Sequence, residues 1–340
     1  MNFWEKLEKL ERPFFCLAPM EDVTDTCFRQ IVMKASRPDV FFTEFMNIEA
    51  FGTKGEDKVI HRLKYAKKEH PIVAQIWGMD LRKYILGIKK IKELGFDGVD
   101  INMACPEKRI IKNGACSALI KDPAFAKEII LIAKEAAGDM PVSVKTRIGF
   151  NNIQTEEWIG FLLTMGLDAL TIHGRTRKEM SKVPAHWDEI GKAVKMRNEM
   201  IKANEKSNDK SRANLAKKTL IIGNGDIKNR EHGIEMAKKY GVDGIMIGRG
   251  IFHNLLAFKD AGTDGLSTDF SALPIKKRLK YALDHLKLFD RTWGDAKNYE
   301  DMKKFFKMYI IGFEGANDLR VKLMGTKKDE EARKILEELI

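Results

Sequence analysis

The sequence predicts an α/β protein, a (β/α)8 TIM barrel followed by a small all-helical domain. Three observations lead there. Eight short apolar runs of strand length alternate with segments of helical periodicity. Polar residues or glycines close most of those runs, at the strand ends where barrel enzymes keep their chemistry. Past residue 260 the strand pattern stops and only helical spacing remains. Eight alternating units over this length favour a closed barrel over an open doubly wound sheet.

Taken in order, Phe3, Trp4, Leu7 and Leu10 recur at helical spacing and predict a short amphipathic helix capping the barrel floor. The eight strands are predicted over 14–19, 40–43, 72–76, 98–102, 142–146, 168–173, 219–223 and 244–248. Helical periodicity falls between them, over 81–94, 124–137, 156–165 and 227–240. Two stretches break the rhythm. Residues 195–218 are polar and lysine-rich, an extended helix and loop that serves either as solvated surface or as an RNA contact. Residues 260–274 read as a linker, dividing the chain into a barrel over 1–260 and a helical domain over 261–340.

A formal charge of +11 over 340 residues favours an anionic partner without choosing one. No apolar run is long enough to span a bilayer, and Glu5, Lys6, Glu8 and Lys9 interrupt the N-terminus, so a cytoplasmic location without membrane contact is expected. The four cysteines, Cys16, Cys27, Cys105 and Cys116, form no C-x-x-C pair. That argues against a zinc site or a disulfide framework and leaves room for one functional thiol; no metal is expected.

Chemistry is expected at the end of the fourth predicted strand. Val99 and Ile101 alternate with Asp100 and Asn102, so Asn102 points opposite to Ile101 and Cys105 follows at the mouth. Pro106 biases Cys105 toward extended backbone. Free cysteine is usually a buried small hydrophobe. Cys27 and Cys116, on predicted helices, fit that description better than Cys105 does. The loops Gly223-Asn224-Gly225-Asp226 and Gly248-Arg249-Gly250 follow the seventh and eighth strands, where barrels commonly bind phosphate. Lys145 has the parity opposite to Val142 and Val144. It either faces an anionic or polar ligand inside the barrel or snorkels from the strand end.

The run Asn102-Met103-Ala104-Cys105-Pro106, followed by Lys108, Arg109, Lys112, Gly114 and Ala115, resembles the Asn-x-Gly-Cys-Pro signature of the tRNA dihydrouridine synthase family. Ala18-Pro19-Met20 with Thr24-Asp25, then Gln75, Lys145 and Ile172-His173-Gly174-Arg175-Thr176, follow the family's order along the whole chain. Ala104 departs from the family glycine. If that position requires left-handed backbone, alanine costs about 1–2 kcal/mol there.

The resemblance implies an FMN-dependent enzyme reduced by NADPH or NADH, with Cys105 giving a proton to C5 of a tRNA uridine while hydride reaches C6. It implies flavin contacts from Ala18, Pro19, Met20, Gln75, Lys145 and His173, with the phosphate at Asn224, Gly225, Asp226, Gly248 and Arg249. Substrate contacts are expected from Asn102, Lys145 and Arg175 at the base. Lys108 and Arg109 beside the cysteine, and Lys303, Lys304 and Arg320 in the helical domain, are expected on the RNA. tRNA is the one macromolecular partner implied; no protein partner is. A flavin barrel acting on a free small pyrimidine is the competing enzyme class, and a non-catalytic RNA-binding barrel the competing non-enzyme.

Overall fold

The computed structural model describes residues 1–205, 219–261 and 267–340. Its strands are β1 (Phe14–Leu17), β2 (Phe41–Phe42), β3 (Met46–Asn47), β4 (Ile72–Trp77), β5 (Gly98–Met103), β6 (Val142–Arg147), β7 (Ala169–His173), β8 (Leu220–Asn224) and β9 (Gly244–Ile247). All pair in parallel, in the order β1-β9-β8-β7-β6-β5-β4-β2 with β3 beside β4. A bridge between Cys16 and Val40 closes the ring. The barrel is the predicted one, except that the predicted strand 40–43 is only two residues long and a short β3 follows it.

Strand alternation sorts the side chains. Phe14, Cys16, Phe42, Val73, Leu220, Ile222 and Met246 fill the lower interior with Trp4, from the helix Phe3–Glu8, closing the floor. Trp4 lies 5.7 Å from the Phe14 ring and 6.5 Å from that of Phe42. Gly244 makes room for this packing, since a Cβ there would sit 2.3 Å from the Phe14 ring. The opposite parity, Val99, Ile101, Val142, Val144, Leu170, Ile172, Ile245 and Ile247, faces the surrounding helices.

Those helices start where local chemistry allows. Asp25, Asp80, Asp122 and Asn229 cap Thr26–Ala35, Leu81–Glu93, Pro123–Ala137 and Arg230–Tyr240, each side chain accepting from a first-turn N–H. The segment 156–165 instead opens with a π-helical turn, Thr155–Ile159, before α-helix Gly160–Leu163. The helix expected from 195 begins earlier, as Trp187–Glu205, and residues 206–218 of that insert lie outside the described residues.

Of the predicted linker, 262–266 also lie outside the described residues, and Phe270 just after them is buried against Tyr281 and Tyr309. Helix Ile275–Trp293 then packs on Thr26–Ala35, with Phe28 stacked on Phe305 at 5.0 Å. Barrel and helical region share one apolar core as a result.

Candidate active site

The cysteine loop hangs from a chain of buried hydrogen bonds. Asp100, fully enclosed, accepts from Ser143 Oγ and from Gln75 Nε2, each at 2.6 Å. Gln75 Oε1 accepts from Asn102 Nδ2 at 3.0 Å. Asn102 Oδ1 then accepts from the backbone N–H of Ala104 at 2.9 Å and of Cys105 at 3.0 Å. Asn102 therefore faces inward as its parity requires, but its amide shapes the loop. The side chains of Gln75 and Asn102, expected on flavin and base, spend these groups on each other and on the backbone.

Ala104 is free of the anticipated strain. The described non-glycine residues with positive φ are Asp22, Cys116, Met180 and Asp226, and Ala104 is not among them. Glycine is dispensable at 104 because the backbone is ordinary there.

Cys105 alone of the four cysteines is partly exposed. A hydrogen bond from the Cys116 thiol draws it down to about 7, against burial, with help from the Glu107 N–H and the nearby Arg147 guanidinium. Arg147 is itself buried, donates to Ala104 O at 2.7 Å, and is lowered to about 10 by burial. Cys105 opens on a cleft of about 410 Å³ lined by Phe45, Trp77, Ile110 and the Glu21–Arg62 ion pair among others. Apolar walls with a few polar groups suit a flat heterocycle.

Lys145 neighbours Asn102 in register and enters the barrel, not the solvent. Burial lowers it to about 8, and its ammonium has no hydrogen-bond acceptor among the described residues. Beyond it, His173 is held well below its ordinary range by burial and by Arg147, Lys145, Arg175 and Arg249. Four basic side chains surround one neutral imidazole, with Asp226 paired to one of them and close to another. Such a site fits an anionic ligand rich in hydrogen-bond acceptors, as a flavin mononucleotide is.

The two glycine loops flank this charge. Gly225 has φ +130, and a Cβ there would lie 2.6 Å from Ala185. Asn224 donates to Met246 O at 2.9 Å, tying β8 to β9. Ala18, just after β1, lies opposite Gly248, where an added Cβ would stand 3.6 Å from the Ala18 Cβ. Pro19 and Met20 follow, with Met20 N–H held by Thr24 Oγ1 at 2.9 Å. Arg249 is mostly exposed and lies 3.9 Å from Asp226.

Two expectations shift in this region. Asp226 carries negative charge and is claimed by Arg175, at 2.5 and 2.6 Å, and by Ala185 N–H. Burial would raise it, yet the Arg175 bonds and charge outweigh burial and hold it below its usual range. Arg175, expected at the base, is buried and bonded to Asp226 of the first glycine loop, to Val183 O and to His173.

The basic residues divide similarly. Lys108 and Arg109 are exposed on helix Lys108–Lys112, directly after the cysteine loop. Lys304 is exposed and donates to Asp22 O, pinning the helical region to the loop after β1. Lys303 is buried, donating to Glu300 at 2.6 Å and Met324 O at 3.0 Å, so it holds helices together and presents no charge to RNA. Arg320 donates to Ile310 O at 2.7 Å and to Asn317. The sequence reading passed over Asp100 and Arg147, although both have the parity of Asn102 and Lys145. Among the described residues no His/Cys/Asp/Glu group could hold a metal, and no helix is long and apolar enough to cross a membrane.

The dihydrouridine synthase family model matches residues 16–204 and 194–340. "Probable tRNA-dihydrouridine synthase 2" of Bacillus subtilis (strain 168) is 45% identical over 343 residues, covering 99% of this chain and 96% of that one. "Probable tRNA-dihydrouridine synthase" of Staphylococcus aureus (strain Mu50 / ATCC 700699) is 43% identical over 340 residues, covering 99% and 95%. With matches running the length of both barrel and helical region, this chain belongs to the dihydrouridine synthase family of enzymes.

Proposed function

We propose that this enzyme reduces the C5–C6 double bond of a uridine in tRNA to 5,6-dihydrouridine, in the cytoplasm where tRNA resides. When bound, FMN reduced by NADPH or NADH supplies the hydride that C6 receives. Cys105 Sγ gives the proton to C5. The observation that carries this reading is the position of Cys105, the one partly exposed thiol, lining a cleft with Phe45, Trp77 and Ile110 beside the basic residues around His173.

The remaining roles follow from charge and reach. Lys145, with no acceptor of its own, holds the flavin and the edge of the base. Ala18, Pro19, Met20, His173, Asn224, Gly225, Gly248 and Arg249 surround the cofactor, while Arg175 and Asp226 steady each other beside its phosphate. Asn102, Gln75 and Asp100 keep the cysteine loop in place. A stacked uracil must leave its neighbours to enter the cleft. Lys108, Arg109 and Lys304 stand at the rim to take the flanking phosphates, with the helical region from 261 onward as the tRNA platform.

The test is Cys105→Ala, assayed for flavin content, tRNA affinity and dihydrouridine in tRNA from cells lacking the native gene product. Flavin and tRNA binding persist, and dihydrouridine formation drops by a factor on the order of 10²–10⁴. Turnover equal to wild type would remove Cys105 from the reaction.

A further inference from the structure

We propose that Arg62 and Asn47 are specificity residues for this reaction: from the wall of the cleft that Cys105 lines, they donate hydrogen bonds to the carbonyl edge of uracil, and so admit uridine and reject cytidine. The proposal rests on the reading of that cleft as the place a tRNA uridine enters.

The site leaves room for such donors. Of the residues expected at the base, Asn102 gives its amide to Gln75 and to the loop backbone, and Arg175 is bonded to Asp226 and Val183 O. Lys145 is the one that stays uncommitted. Trp77 follows Val73 and Gln75 as the uppermost inward position of β4, and Asn47 is its register partner on β3. With Phe45, Trp77 gives the cleft flat aromatic surface of the kind on which unstacked bases rest. Arg62 arrives from the excursion between β3 and β4, which a fully buried ion pair fastens to helix Thr26–Ala35. There Arg29 donates to Glu69 at 2.5 Å and to Lys64 O at 2.8 Å.

What the two side chains offer is fixed by the partners they already have. Arg62 Nε and Nη2 both donate to Glu21 Oε1, at 2.7 and 2.5 Å, and Nη1 meets His61 Nε2 at 3.3 Å. Among the described residues, that leaves an N–H on each terminal nitrogen unclaimed. Asn47 Oδ1 accepts from Glu49 N–H at 3.0 Å, so its amide NH₂ is the group left for a ligand. Both residues line the cleft and are half-buried. The charge of Arg62 is matched by Glu21, and Glu107 adds a further carboxylate to the lining. The cleft therefore holds donors without net positive charge, which disfavours a phosphate and fits a neutral ring bearing carbonyl oxygens. Uracil presents an acceptor, O4, where cytosine presents an amine. An amine set against these donors has no acceptor to meet.

The experiment measures single-turnover reduction, at subsaturating tRNA, of transcripts that differ only at the position where dihydrouridine is first mapped. They carry uridine, 2-pyrimidinone riboside, which lacks O4, or 2-thiouridine, whose sulfur is a poor acceptor. Wild type is compared with Asn47→Leu and with Arg62→Met, the latter made together with Glu21→Gln so that no buried carboxylate is stranded. Melting temperature and flavin content verify that each variant is folded. Wild type prefers uridine to at least one analogue by about ten- to a hundredfold, the worth of a charged hydrogen bond. The Arg62 variant reduces uridine slower by the same factor and loses the preference; Asn47→Leu does so to a smaller degree. The salt dependence of tRNA affinity stays as in wild type, because no phosphate contact is removed. A preference for uridine that survives in both variants overturns the proposal. So does a shallower salt dependence in the Arg62 variant, which would put a phosphate at that guanidinium. Wild-type protein that reduces no transcript overturns the uridine reading itself.

Discussion

Cys105 and Lys145 show how far a few ångströms of environment shift ordinary side chains. Cys105 must carry its proton to act as an acid, and its hydrogen bond from Cys116, the Glu107 N–H and Arg147 bring it to about 7. Dihydrouridine formation should therefore be constant below neutrality and fall as pH rises through about 7, read by single-turnover rates on the reduced enzyme. Lys145 is lowered to about 8 because burial penalises its charge. Substituting methionine should weaken flavin retention about ten- to a hundredfold, the worth of a charged hydrogen bond. The same substitution should raise the melting temperature of flavin-free protein, because an unpaired buried cation disappears. A depressed lysine destabilises the fold most below pH 8, and the penalty fades as pH rises toward 10.5. The stability difference between variant and wild type should shrink over that window in urea titrations.

At the scale of elements, the junction between the first barrel helix and the helical region turns on Asp25. One oxygen caps Thr26–Ala35 through Phe28 N–H at 3.0 Å. The other accepts from Trp293 Nε1 at 3.0 Å and Lys297 Nζ at 3.1 Å. Asp25→Ala loses a cap worth about 1 kcal/mol and a charged contact worth about 1.5–3 kcal/mol. Urea unfolding should show a loss of about 2–4 kcal/mol, with Asp25→Asn between the two because it keeps the cap and gives up the charge. Helix starts such as this one are legible in sequence, since a capping side chain and its N–H lie three residues apart. The π turn at Thr155–Ile159 and the brevity of Phe41–Phe42 were not, because no local pattern distinguishes them from an ordinary helix or strand.

For the whole molecule, a net charge of +11 offers attraction to any polyanion, and only placement decides which cations act on it. Affinity for tRNA should fall linearly in log–log against salt. Alanine at Lys108 or Arg109 should each reduce the magnitude of that slope by about one. Lys303→Ala should leave the slope unchanged and lower the melting temperature instead, since its ammonium is internal. Equal slopes for all three variants would place the RNA elsewhere.

Much of the barrel and the place of Cys105 at the end of a strand were legible in the chain, because strand parity and capping are properties of neighbours. Lys145 was placed inside by counting from Val144. The same count reaches Arg147 and Asp100, whose importance went unread because a charge at the right parity says nothing about its partner. Gln75, Asn102 and Arg175 were assigned to flavin and base, but their hydrogen bonds run to one another, to the loop backbone and to Asp100 and Asp226. Lys303 was misassigned for the same reason, its carbonyl partner lying 21 residues away.

By itself the sequence determined the alternation of strand and helix, the inward set of side chains and the cysteine before proline, all consequences of steric and hydrogen-bonding rules acting over a few residues. Only the tertiary structure decided which cysteine is partly exposed, which amides serve the loop and which lysines reach the surface. Those outcomes depend on burial and on contacts between residues distant in the chain, where desolvation and Coulomb energies outweigh local preference.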